Sequence, residues 1–264
     1  MVNFLRKDEY TLYDMVKIVT LLRSENGCPW DREQTHESIR RNFIEEVCEA
    51  CEAIDQKDSV HLREELGDVL MQVLFHADIE RQAGNFDIEG VADAACKKLI
   101  ERHPHVFGDT TVNSSEQVLD NWDSIKRRQN KHTTHTQAMD SVARTLPALW
   151  RAEKIQSKAK KAGFDWPDIQ GALDKLMEEV EELQTAVRQG HGAEEELGDV
   201  LFSAVNVARF LKVDPEEILT RATDKFLKRF SQMESMLGEQ DMSQLGINEL
   251  DKLWEKAKEK DLLP

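Results

Sequence analysis

Apolar residues recur along this chain in steps of three and four. In Phe43-Ile44-x-x-Val47-Cys48-x-x-Cys51-x-x-Ile54 the small and apolar side chains fall on one helical stripe, with Glu45, Glu46, Glu49 and Glu52 between them. Leu66-x-x-Val69-Leu70-x-x-Val73-Leu74 repeats the spacing. Alternating runs of Val, Ile, Thr and Tyr closed by turn pairs are missing, so no strand is predicted. With 12 glycines and 6 prolines, turns should be few and elements long. The expected fold class is all-α, and Cys48 and Cys51 are expected on the buried stripe of their helix.

The pattern occurs twice. Asn42-Phe-Ile-Glu45-Glu46-Val-Cys-Glu49 followed by Arg63-Glu64-Glu65-Leu-Gly-Asp68 is matched by Lys175-Leu-Met-Glu178-Glu179-Val-Glu-Glu182 followed by Glu194-Glu195-Glu196-Leu-Gly-Asp199. Trp30 precedes the first set and Trp166 the second; Lys98-x-x-x-Arg102 follows the first and Lys225-x-x-x-Arg229 the second. Features repeated in the same order indicate a duplicated helical unit. Between them, 127–142 is polar, lacks apolar periodicity and holds His132 and His135, which are expected to be solvated loop histidines. The predicted organisation is a helical domain over 1–126, a linker over 127–142 and a second helical domain over 143–264.

Charge then narrows the chemistry. The 264 residues carry 51 acidic and 35 basic side chains, a formal charge of −16, which argues against a nucleic-acid partner. No apolar run approaches the roughly 18 residues of a membrane span, and the first residues mix acids and bases where a secretion signal is apolar. Four cysteines (Cys28, Cys48, Cys51, Cys96) are too few for a disulfide framework. These features predict a cytoplasmic protein that neither spans membranes nor is secreted.

The acidic motif has a geometry of its own. Glu179 and Glu182 are three residues apart, on one helix face and about 4.5 Å apart along the axis; Glu196 and Asp199 have the same spacing on the next helix. Gln189-Gly190-His191-Gly192 is a short glycine-rich connection that predicts an antiparallel hairpin, bringing the two pairs face to face. Gly67 and Gly198 are expected to let a neighbouring helix approach closely. Four converging carboxylates repel unless a cation neutralises them, and oxygen donors suit Mg²⁺ or Mn²⁺ rather than zinc. Lys175, one turn before Glu179, and Lys225, Lys228 and Arg229 on a later helix add a basic cluster beside this site. Metal plus basic cluster predicts a polyphosphate ligand. Cys48-x-x-Cys51 and Glu33-x-x-His36 are read as structural, as are His103 and His105 at a helix end.

These residues resemble the MazG family of nucleoside triphosphate pyrophosphohydrolases, whose signature Glu-Glu-x-x-Glu followed by Glu-x-x-Asp stands here at Glu45-Glu46-x-x-Glu49 with Glu65-x-x-Asp68, and at Glu178-Glu179-x-x-Glu182 with Glu196-x-x-Asp199. Gly27-Cys-Pro-Trp-Asp, Glu101-Arg-His-Pro-His-Val-Phe107 and Arg144-x-Leu-Pro-Ala-Leu149 extend the likeness over nearly the whole chain. The resemblance implies a dimer of helical bundles that hydrolyses NTP or dNTP to NMP and pyrophosphate with Mg²⁺, through attack of a metal-activated water on the α-phosphorus. It implies Glu179, Glu182, Glu196 and Asp199 as metal ligands, with Glu46, Glu49, Glu65 and Asp68 as a second set. It also implies Lys175, Glu178, Glu179, Glu195, Asp199, Lys225, Lys228, Arg229 and Trp254 as the nucleotide's surroundings; core packing is the other reading of Trp254. Glu178 is assigned to orient the water, and Lys225 and Arg229 to neutralise the leaving phosphates. Where relatives can carry a loop lysine before the second acidic pair, this chain has Gly192 or Ala193. Asn42 replaces the lysine of the second copy, so the second half is expected to be the hydrolytic one. Two other functions fit the motifs: a narrower all-α hydrolase of the dUTPase, dCTPase or phosphoribosyl-ATP type, and a nucleotide-sensing module without turnover.

Overall fold

The computed structural model describes residues 4–129, 134–238 and 240–261. Among these residues it is all-α, with thirteen α-helices, one 3₁₀ turn and no strand. The chain divides into two compact units, Met1–Lys126 and Arg127–Pro264.

The first unit holds α1 (Leu12–Leu22), α2 (Pro29–Glu33), α3 (His36–Gln56), α4 (Ser59–Ala83), α5 (Ile88–Arg102) and α6 (Pro104–Phe107), with α7 (Ser115–Gln129) reaching the boundary. Its centre is the α3–α4 hairpin. A capping box between Thr35 and Ser38 starts α3. Lys57, left-handed at φ 59°, ends it, and Asp58 accepts hydrogen bonds from the Val60 and His61 N–H groups to start α4. Only two residues separate the helices, so they run antiparallel. Val19, Ile39, Leu74 and Phe75 form the buried core, with Met15, Val16, Met71, Ile79 and Ile88 packed around it. The buried ion pair Arg23 Nε–Asp78 Oδ2 at 3.1 Å fastens the end of α1 to α4.

The second unit repeats this plan with α8 (His135–Asp140), α9 (Ala148–Lys161), α10 (Ile169–Gln189), α11 (Ala193–Leu211), α12 (Pro215–Leu237), a 3₁₀ turn at Met242–Gln244 and α13 (Ile247–Asp261). Asp168 caps α10, and the reversal into α11 uses Gly190 and Gly192 at φ 77° and 79°, values that favour glycine. Ala172, Ala186 and Ala208 are buried, small enough for α10 and α11 to lie close together. Gln156 on α9 donates to the Phe202 carbonyl at 2.8 Å. An ion pair here joins Asp165 to Arg209; in the repeat alignment Arg209 takes the place of Asp78, so the charges are reversed between the units.

Three expectations change. Within 127–142, expected as linker, α7 continues to Gln129 and α8 occupies His135–Asp140. A capping box between Thr134 and Gln137 forms α8, which packs on α9; His135 opens it, and His132 lies outside the described residues. Cys48 and Cys51 are exposed: the inward stripe of α3 is Ile39, Ala50 and Ala53, and the cysteines lie off that face. A Cβ at Gly67 or Gly198 would meet nothing within 4 Å, so within the chain neither glycine serves a close helix approach. No helix among the described residues is long and apolar enough to cross a membrane.

Candidate functional site

The hairpins place the acidic motifs. On α3 and α4, one carboxylate oxygen from each of Glu46, Glu49 and Glu65 lies within 4.8 Å of the others; on α10 and α11 the same holds for Glu179, Glu196 and Asp199. Each trio draws on both helices of its hairpin, as the i, i+3 spacing and the antiparallel turn require. The fourth carboxylates stand at the edges. Glu182 shares a hydrogen bond with Glu179 and faces Glu196. Together with Glu178, Glu196 and His191 it lines a cavity of about 450 Å³. Asp68 faces Glu65 and Glu64 and adds its charge to the field at Glu46.

This crowding shows in the titration of the acids. Burial raises the pKa of Glu46, and the charges of Asp68, Glu49 and Glu65 raise it further. Glu49 is raised by burial and then by Glu65, and Asp68 by burial and then by Glu65 and Glu64. Glu182 is raised by burial, with Lys175 acting against the shift and Glu179 and Glu196 adding to it. Carboxylates that resist ionisation beside one another are what a cation relieves. The donors of each trio are all oxygen, from carboxylates that converge from two helices. That set fits a hard divalent ion such as Mg²⁺.

Basic groups separate the copies. Lys175 Nζ lies 2.8 Å from both Glu178 and Glu179, and these hydrogen bonds, Glu178 first, push its pKa above the ordinary lysine value. At the matching place the first unit has the neutral Asn42, and Arg41 instead pairs with Glu45 at 2.8 Å. Lys225 and Lys228 are exposed on α12 and Arg229 is half-buried. Arg229 lies over the Trp254 ring at 5.7 Å, and Phe226 packs on the same ring at 5.1 Å. Arg229 and Phe226 thus gather around Trp254, and Lys225 forms no ion pair with the carboxylate trio among the described residues. Glu195 is exposed in the first turn of α11.

Two further residues belong to the first cluster. His61 Nε2 lies 2.8 Å from Glu65 Oε1. Gln72 hydrogen-bonds Glu46, while its own Oε1 is buried without a partner. The signals were a histidine four residues before Glu65 and a glutamine four residues after Asp68, each one helical turn from a ligand candidate. His191 in the second unit joins its cavity from the hairpin turn and carries no periodic signal.

The MazG nucleotide pyrophosphohydrolase domain model matches residues 34–107 and 168–233, one match around each hairpin. The chain is 47% identical over 248 residues to a Thermotoga maritima protein named nucleoside triphosphate pyrophosphohydrolase/pyrophosphatase MazG, covering 93% of this chain and 94% of that one. It is 38% identical over 255 residues to an Escherichia coli nucleoside triphosphate pyrophosphohydrolase, covering 94% and 97%. Bacillus subtilis YabN is 45% identical over 262 residues, 96% of this chain and 53% of that protein. With both hairpins matched and the likeness running over nearly the whole length, the chain belongs to the MazG nucleotide pyrophosphohydrolase family.

Proposed function

We propose that this protein hydrolyses nucleoside triphosphates to nucleoside monophosphate and pyrophosphate, with Mg²⁺ held by Glu179, Glu182, Glu196 and Asp199. The observation that carries the reading is the convergence of carboxylates from two facing helices beside Lys175. Such a cradle repels a triphosphate unless a divalent ion stands between them. The names of the Thermotoga maritima and Escherichia coli relatives support the same reaction.

Bound Mg²⁺ would supply Lewis-acid polarisation of the phosphate and lower the pKa of water to make a nucleophile at neutral pH. The residues of the chain do the rest. Lys175 holds Glu178 and Glu179 in register and stays cationic, because both hydrogen bonds favour its charged form. Glu178, exposed at the rim of the cavity, orients the water that attacks the α-phosphorus. Lys225 and Arg229 neutralise the charge that builds on the departing pyrophosphate, with Lys228 and Glu195 at the edge of the nucleotide. Trp254 offers the base a flat apolar face.

In this reading the second unit is the hydrolytic one, and Glu46, Glu49, Glu65 and Asp68 form a second metal site. The chain acts as a dimer. Ile44 and Leu66 in the first hairpin are 54% and 53% exposed, and Met177 and Leu201 in the second are 60% and 54% exposed; apolar faces of this kind are ordinarily covered by a partner.

Product analysis with a panel of NTPs and dNTPs tests the function. Pyrophosphate release that requires Mg²⁺ and is abolished by Glu182→Ala in a folded protein is the expected result; orthophosphate as product, or near-normal turnover by that variant, overturns it. Glu46→Ala and Glu179→Ala decide the unit: the second should lose far more turnover than the first, and equal losses refute the assignment.

A further inference from the structure

The duplication extends past the segments that match the family model. A helix of 15 residues follows the basic helix in each half, α7 and α13. Placed end to end, Val118, Trp122, Ile125 and Lys126 of α7 fall on Leu250, Trp254, Ala257 and Lys258 of α13. The basic helices align in the same way: Asp87 caps α5 and Asp214 caps α12, and Lys98 and Arg102 stand as far from their cap as Lys225 and Arg229 from theirs. In both halves the arginine covers the tryptophan, with Arg102 Cζ 5.4 Å from the Trp122 ring centre and Arg229 Cζ 5.7 Å from that of Trp254. Both tryptophans are only half-buried, so neither is consumed by a core. A half-covered indole beside a guanidinium is a surface on which a base can stack.

The halves differ in what flanks the ring. Beside Trp254 the wall is aromatic: Phe226 lies 5.1 Å away, and Phe230 stacks on Phe226 at 6.0 Å. Beside Trp122 the corresponding residues are Leu99 and His103, and the His103 ring meets Trp122 edge to face at 4.9 Å and 83°. His103 Nδ1 is 2.6 Å from the Leu99 carbonyl oxygen. A carbonyl oxygen only accepts, so Nδ1 carries the proton, and in the neutral ring Nε2 is left as an acceptor. His105, whose ring is 5.6 Å from that of His103, holds a buried Nδ1 without a hydrogen-bond partner. The first unit therefore adds a hydrogen-bonding edge where the second has phenyl rings.

We propose that Trp122, Arg102 and His103 form a second nucleobase site, in the first unit, which takes a base with an exocyclic amino group. The base stacks at Trp122, its amino group donates to His103 Nε2, and Arg102 with Lys98 meets the phosphates. The inference rests on the reading above, in which Trp254 contacts the nucleotide of the second unit. The first unit so binds a nucleotide chosen by hydrogen bonding, and the second accepts bases by stacking.

Equilibrium dialysis of the full chain with Mg²⁺ and α,β-methylene-ATP or α,β-methylene-UTP tests this, because neither analogue can be cleaved between the α and β phosphorus. Two ATP analogues should bind per chain, with the site in the first unit preferring the ATP analogue over the UTP analogue. Trp122→Leu should weaken one of the two sites by about tenfold or more, and Trp254→Leu the other. Trp122→Phe, which keeps an aromatic face and the helix, should retain both. His103→Phe should retain two sites and erase the base preference of the first. One analogue per wild-type chain, two undiminished sites in a folded Trp122→Leu variant, or an unchanged base preference in His103→Phe overturns the proposal. If two analogues bind as described but no pyrophosphate is released from ATP, the proposed reaction fails and this site stands. If Trp254→Leu leaves both sites intact while Trp122→Leu removes one, the premise about the second unit fails instead.

Discussion

Asp78→Ala should unlock the first unit from its hairpin. The Arg23 and Asp78 side chains are 3% and 4% exposed, and Asp78 also receives hydrogen bonds from Thr20 at 3.2 Å and Gln82 at 2.7 Å. Removing the carboxylate leaves a buried guanidinium whose remaining hydrogen bonds, among the described residues, go to the Asp31 and Gln34 carbonyls. Breaking one partner of such a pair costs about 3–5 kcal/mol. The second unit supplies the control: Arg209 and Asp165 are 8% and 16% exposed, the Asn206 side-chain oxygen still accepts from the Arg209 guanidinium at 2.8 Å once the carboxylate is gone, and Asp165→Ala should cost about 1–2 kcal/mol. Hydrogen exchange read helix by helix separates the units. Exchange in α4 should rise roughly 150- to 5,000-fold in Asp78→Ala, while α11 keeps its protection. Equal losses from the two variants, or a cost below about 1 kcal/mol for Asp78→Ala, would refute the claim that burial and the partner retained by Arg209 set the difference. Pyrophosphate release should survive Asp78→Ala if the second unit is the hydrolytic one.

Lys175→Met removes the cation bridging Glu178 and Glu179; since Lys175 is 37% exposed, solvent tempers the loss, and kcat/KM should fall about tenfold, with a negligible change sinking the role given to this lysine. Thermal melts should show Mg²⁺ raising Tm at pH 7.5 and less at pH 5. The sign follows from the raised pKa values of Glu46, Glu49, Asp68 and Glu182: the stability tied to their neutral forms is complete below the ordinary carboxylate range and is lost as pH rises through the raised values. No shift with Mg²⁺ at pH 7.5 would count against both clusters. Asp14 titrates in the opposite sense. Hydrogen bonds from Lys7 and then Thr11 hold its pKa down at about 2 against 3.8, so its contribution is complete above 3.8 and is lost as pH falls toward 2. Asp14→Asn should remove that acid step from a CD titration of the first unit and lower its stability at neutral pH.

The carboxylate clusters were legible because their geometry is local: i, i+3 pairs on helices joined by a short reversal converge whatever the rest of the chain does. The choice of buried face was not. Helix α3 carries two apolar stripes, one through Ile39, Ala50 and Ala53 and one through Ile44 and Val47, and periodicity reports both without saying which meets the neighbouring helix. That ambiguity is why the pattern predicts Cys48 and Cys51 inward while the structure exposes them. The short helix α8 did have a signal, Thr134-x-x-Gln137, a capping box inside a polar stretch. Arg23 and Asp78 are 55 residues apart, and nothing local pairs them; only comparison with Asp165 and Arg209 exposes the reversed pair.

The duplication matters for mechanism because the scaffold is common and the charges are not. Both hairpins gather carboxylates from two helices within the same 4.8 Å limit, so the convergence of oxygen donors belongs to the fold. What differs is what surrounds each trio. In the second unit Lys175 already donates to Glu178 and Glu179, and an arriving metal completes a charge balance that is partly made. In the first, Asn42 brings no charge, and His61 beside Glu65 and Gln72 beside Glu46 are the polar partners. Its acids are pushed toward their protonated forms by burial and by one another, so a metal entering there must displace protons as well as water. In the reading proposed above, metal binding to the first unit is therefore the more steeply pH-dependent of the two, and a single residue, Lys175 against Asn42, decides which cradle is partly neutralised before the ion arrives.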